Sequence, residues 1–145
     1  MSLSLEGKVA MITGAGSGIG RAHAVLMAER GADIVLNDLT SEGLEETASL
    51  AAGAGGLIEL MLYDISEVSG MTRRIQAAEA KFGSIDILVN NAGVSGQRLA
   101  FGDIDEATYD RMVDINLKGT FFATQAVVPG MKERRYGKII NTSSM

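Results

Sequence analysis

The segment Thr13-Gly14-Ala15-Gly16-Ser17-Gly18-Ile19-Gly20 constrains this chain more than any other. It follows an apolar run, Lys8–Thr13 (KVAMIT), that reads as a buried strand. It opens a stretch, Arg21–Arg30, whose apolar residues share one helical face, with Gly31 placed to end it. Glycines at such a junction let the backbone turn tightly and approach a ligand without a Cβ in the way. The first N–H groups of the helix lack intrahelical partners and converge on the same place, which suits a pyrophosphate. The spacing excludes two alternatives. Counted from Gly14 the sixth position is Ile19, and from Gly16 it is Arg21, so G-x-G-x-x-G fails. No Lys-Ser or Lys-Thr follows, so the P-loop pattern fails as well. A G-x-x-x-G-x-G pattern fits, through Gly14, Gly18 and Gly20.

The rest of the chain alternates between strand-like and helix-like segments. Asp33–Asn37 (DIVLN), Leu57–Leu62, Asp86–Asn90 (DILVN) and Lys138–Asn141 (KIIN) read as strands, mostly without polar alternation, as in a parallel sheet buried on both faces. Helices are expected from Thr40 or Ser41 to about Ala52 and from Glu67 to Phe82, the second weakened by Gly70. Asn91–Gly102 reads as a loop. One long helix is expected from near Ile104 to about Glu133, with Pro129 kinking or interrupting its last turns. Strands joined through helices imply right-handed crossovers and an α/β, Rossmann-type doubly wound parallel sheet, as one domain over residues 1–145.

A net charge of −5 and the lack of any basic run argue against nucleic acid or an anionic membrane as partner. With no cysteine and the single histidine His23, neither a disulfide framework nor a multi-histidine metal site is available, and no metal is expected. The opening residues are too polar for a secretory leader and no apolar run reaches membrane-spanning length, so a cytoplasmic protein is expected.

Asp38 stands 18 residues after Gly20, at the end of the second strand. A carboxylate there can accept hydrogen bonds from adenosine ribose hydroxyls and repels a 2′-phosphate, which points to NAD rather than NADP. A solvated strand-end aspartate or a helix cap is the plainer alternative. With Asp64-Ile65 after the third strand, Asn90-Asn91-Ala92-Gly93 after the fourth, Asn116 in an N-x-x-G context and Asn141-Thr142-Ser143-Ser144 after the fifth, the chain resembles the classical short-chain dehydrogenase/reductase family, whose first turn reads T-G-x-x-x-G-x-G. The resemblance runs from Lys8 to Met145.

The resemblance implies hydride transfer between NAD(H) and a small-molecule alcohol or carbonyl substrate. It implies that Gly14, Ser17, Gly18, Ile19 and Gly20 hold the pyrophosphate, Asp38 and Leu39 the adenosine ribose, and Asp64 with Ile65 the adenine edge. It places Asn91, Ala92 and Gly93 against the cofactor, with Asn90 shared between structure and contact. Two catalytic positions follow. Asn116 would help hold a water in a proton relay, and Ser144, before Ser143, would hydrogen-bond the substrate carbonyl.

The resemblance puts the family's Tyr-x-x-x-Lys pair beyond Met145, so residues 1–145 are expected to be an incomplete domain that continues in a longer parent protein. No internal tyrosine replaces it, since the residues four after Tyr63, Tyr109 and Tyr136 are Glu67, Val113 and Ile140. A placed acid/base group is worth roughly 10²–10⁴ in rate, so these residues alone are expected to be inactive. The alternative is a dinucleotide-binding fragment or sensor without turnover. The resemblance also implies a homo-oligomer, dimer or tetramer, formed in part by the long helix carrying Asn116. Without a covering helix, one face of the fourth and fifth strands is expected to be bare.

Overall fold

The computed structural model describes residues 4–95 and 99–143. Five strands form one parallel sheet: β1 (Val9–Thr13), β2 (Asp33–Asp38), β3 (Ile58–Leu62), β4 (Ile87–Asn90) and β5 (Lys138–Asn141), in the spatial order β3-β2-β1-β4-β5. Helices α1 (Gly18–Glu29), α2 (Ser41–Ala51) and α3 (Val68–Phe82) follow the first three strands, and α4 (Glu106–Val113) and α5 (Thr120–Arg134) precede β5. No helix among the described residues is long and apolar enough to cross a membrane.

The two-residue period of a strand sends alternate side chains to opposite faces, and each face has its own core. Val9 and Met11 of β1 and Leu88 of β4 pack with Met71, Ile75, Ala123 and Val127 from α3 and α5. Ala10 and Ile12 of β1 and Ile87 and Val89 of β4 pack with Ala24, Ala28 and Leu44 from α1 and α2. The chain builds outward from β1 through β2 to β3, then returns to lay β4 on the other side of β1. That reversal opens a crevice beyond the carboxyl ends of β1 and β4, where sheets of this kind bind ligands.

Strand limits agree with the sequence reading to within a residue, but three expectations need correction. Helix α1 begins at Gly18, inside the glycine turn, because Gly14 and Gly18 take positive φ (63° and 51°) and complete the turn early. Helix α3 runs through Gly70, and packing requires glycine there, because the Tyr63 hydroxyl occupies the space a Cβ would need. The long helix is not regular. Its α4 and α5 halves are joined by a π-helical turn over Asp114–Gly119, and α5 runs past Pro129 to Arg134 without a break. Finally, β4 is buried throughout, with Ile87 and Val89 in one core and Leu88 in the other, and only β5 is exposed along its length.

A buried carboxylate registers β1 against the entry to β4. Asp86 Oδ2 accepts the Val9 N–H at 3.0 Å and the Ser84 hydroxyl at 2.9 Å. Removing it strands a buried backbone donor. Asp86→Ala is expected to lower the unfolding free energy by about 1–3 kcal/mol, read from urea denaturation.

Candidate functional site

The crevice contains a cavity of about 550 Å³. Of the residues the sequence singled out, Gly14, Ser17, Gly18, Ile19, Asp38, Leu39, Asp64, Ile65, Asn91, Ala92 and Gly93 line it together. Gly20 does not. It lies beneath the turn, where a Cβ would strike the Gly14 carbonyl oxygen, so its place in the motif is close packing. Ser144 lies outside the described residues.

One hydroxyl joins the two walls. Thr13 Oγ1, buried at the end of β1, accepts the N–H groups of Asn91 at 3.0 Å and Ala92 at 2.9 Å. Asn91 Nδ2 donates back to the carbonyls of Thr13 and Gly14, both at 3.2 Å. Gly14 therefore sits so close to the second wall that a Cβ would come within 2.9 Å of Ala92 Cα. The Ser17 side chain makes no cap hydrogen bond to α1, and the first turn of α1 contains no acid, which leaves its leading N–H groups and helix dipole open to an anion.

Asp38 is held from several directions. Its Oδ2 accepts the Gly16 N–H at 2.9 Å, while Oδ1 accepts the N–H groups of Leu39 at 2.7 Å and Thr40 at 3.1 Å and the Thr40 hydroxyl at 3.1 Å. Oδ2 keeps a lone pair for a further donor. Arg21 braces the same turn from outside, bonding the Gly16 carbonyl and pairing with Glu46 of α2 at 2.7 Å.

Asp64 closes the far end. Its Oδ1 accepts the Ser66 N–H at 2.9 Å and the Ser66 hydroxyl at 2.6 Å, and Oδ2 pairs with Arg111 Nη1 of α4 at 2.8 Å. Burial works to raise this carboxyl's pKa, but the Ser66 donors and the Arg111 guanidinium outweigh it and hold the group below the usual carboxylate range.

Asn116 projects from the π-helical turn and grips the backbone of Val94: Oδ1 accepts its N–H and Nδ2 donates to its carbonyl, each at 2.8 Å. This clamp fixes the loop after β4, and Val94 itself lines the cavity. π-helical turns recur at functional sites.

Residues 8–145 match the short chain dehydrogenase family. The chain belongs to that family. Among short-chain dehydrogenases, it is 38% identical over 143 residues to the 3-oxoacyl-(acyl-carrier-protein) reductase of Thermotoga maritima, covering 99% of this chain and 58% of that enzyme. The crystal structure of an NAD+-bound xylitol dehydrogenase superposes with a TM-score of 0.93 at 34% identity, covering 99% of this chain and 55% of that one. A metagenomic short-chain oxidoreductase in complex with NADP gives the same TM-score and identity, covering 99% and 65%. The chain thus spans 55% to 65% of the length of these three dehydrogenases.

Several residues of this cavity were not singled out in the sequence. Asn37, Thr40, Tyr63, Ile115 and Thr142 also line it, beside Val94 of the loop after β4. Asn37 carried a signal, a polar residue ending an apolar strand, and it bonds the carbonyls of Met61 and Tyr63 at 3.0 and 2.9 Å. Tyr63 and Ile115 carried none, because only the tertiary fold brings them to the crevice.

Two outcomes are expected. Thr13→Val, which keeps the shape and removes the shared acceptor, should cost about 1–3 kcal/mol in urea denaturation. Asp64, with its folded pKa depressed, adds stability above the ordinary carboxylate pKa, and loses it as pH falls through the lowered value. The stability difference between wild type and Asp64→Asn should therefore shrink as pH is lowered through that window, measured as melting temperature against pH.

Proposed function

We propose that this chain is the dinucleotide-binding part of an oxidoreductase that uses NAD(H) and acts on an alcohol/carbonyl pair. The observation that carries the preference is Asp38. It is an anchored carboxylate at the cavity edge, with a free acceptor site and neutral donors around it, and none of the described lining residues is basic. A 2′-phosphate placed there would meet like charge, with no cation among the described lining residues to offset it.

The cavity suits the rest of the group. Gly14 keeps the turn thin, and the Gly18 and Ile19 N–H groups at the start of α1, which line the cavity, take the pyrophosphate. Asp38 and Leu39 take the adenosine ribose, and Asp64 and Ile65 the adenine. Asn91, Ala92 and Gly93 form the floor beside the reacting end. When bound, NAD(H) supplies or accepts the hydride. Asn116 serves that chemistry by holding the Val94 loop in place, and we assign the relay water to its neighbourhood. Ser144 is assigned to the substrate carbonyl on the family resemblance.

A homo-oligomer belongs to the same reading. Tyr109, Leu117 and Phe121 are exposed large hydrophobic residues spaced along α4, the π-helical turn and α5, and burying them against a second copy would remove apolar surface from water.

Fluorescence titration of the full chain is expected to show NADH binding at least about tenfold tighter than NADPH, a difference of about 1.4 kcal/mol. Asp38→Ser should narrow the gap by weakening NADH and relieving NADPH. Equal affinity for both cofactors in the unaltered protein would remove the basis for an NAD preference. Tight NADH binding without turnover across a panel of alcohols and ketones would favour a dinucleotide-binding module instead.

A further inference from the structure

We propose that Arg111 is a positioning residue for the cofactor's adenine: by fixing the Asp64 carboxylate from α4 it makes this end of the cavity select a 6-amino purine. The inference rests on the dinucleotide reading above and deepens it at one end of the same site.

A carboxylate pinned at one oxygen can still pivot about that oxygen. Asp64 is pinned at both. Ser66, two residues on, holds Oδ1 with its N–H and hydroxyl, and Arg111, 47 residues away on α4, holds Oδ2. The two grips come from different elements, so the plane of the carboxylate is set by how α4 packs against the loop after β3. A carboxylate offers about four acceptor sites, and three donors leave about one, on Oδ2. Asp64 lines the cavity, so that one site is available to a donor entering it.

Next to it no protein group accepts from the Ile65 N–H among the described residues. An acceptor beside a free donor complements the edge of adenine, which presents the N6 amine as donor and N1 as acceptor. Hypoxanthine inverts both, with O6 an acceptor and N1–H a donor. Arg111 Nη1 also reaches the Ser66 hydroxyl at 3.3 Å, so the guanidinium steadies both sides of the carboxylate. Its side chain is nearly half exposed (46%), so an isolated ion pair here adds little to folding stability. Replacing it should leave the fold intact and change the recognition.

The test uses the full chain with NADH and reduced nicotinamide hypoxanthine dinucleotide, which differ only at this edge. The unaltered protein is expected to prefer NADH by about tenfold, the worth of a charge-assisted hydrogen bond. Arg111→Gln should bring the ratio to within about threefold of one, chiefly by weakening NADH, with the circular dichroism spectrum unchanged. Arg111→Lys, which returns a cation to similar reach, should recover part of the ratio. Equal weakening of both dinucleotides by Arg111→Gln would mean a merely structural role and overturn the inference. So would a ratio unchanged in both variants. If the unaltered protein binds neither dinucleotide, the functional reading itself falls and takes this inference with it. Binding of both without preference in the unaltered protein defeats the inference alone.

Discussion

The structure depends on the hydrogen bonds that Thr13 makes at the end of β1. One buried hydroxyl satisfies the first two backbone N–H groups after β4, and so joins strands that are neighbours in space but far apart in sequence. The ladder between β1 and β4 ends at Ile12 and Val89, and beyond it Thr13 Oγ1 and the returning bonds of Asn91 Nδ2 hold the two strand ends together. With the tether in place, the glycine turn and the Asn91–Gly93 segment become facing walls at fixed separation. Gly14 is then forced by sterics, because its neighbour across the gap is backbone that cannot yield.

Everything else at the site is arranged around that crevice by short polar connections. Asp38 and Asp64 mark its two acidic positions, and each is fixed by backbone and hydroxyl donors rather than left to solvent. Preorganised acceptors of this kind cost little to reorder when a ligand arrives. The π-helical turn supplies the same service on the other side, where Asn116 uses both ends of its amide to hold Val94. An asparagine in a regular helix is neutral at best, and here it is kept for a contact that the helix interior does not provide.

Most of the architecture was legible in the chain. The strands stood out as short apolar runs, and their near-continuous burial in β1, β2 and β4 bears out a parallel sheet covered on both sides. The glycine turn, Asp38, Asp64 and the Asn91–Gly93 segment were readable because each combines a residue type with a place at or just past the end of a strand. The π-helical turn within the long helix was not legible, because Asp114–Gly119 departs from its flanks in backbone hydrogen bonding rather than in residue type. The exposure of β5 and the burial of β4 were also hidden, because coverage depends on where helices distant in sequence come to rest.

The sequence by itself determined the α/β alternation, the family and the group of side chains at the carboxyl ends of the strands, since these follow from local patterns and spacing. Only the tertiary structure decided that Arg111 meets Asp64, that Tyr63 fills the space beside Gly70, and that Asn116 closes on Val94. Those contacts join residues with no fixed spacing between them. They exist because the helices pack on the sheet at particular depths and angles, which no local rule encodes.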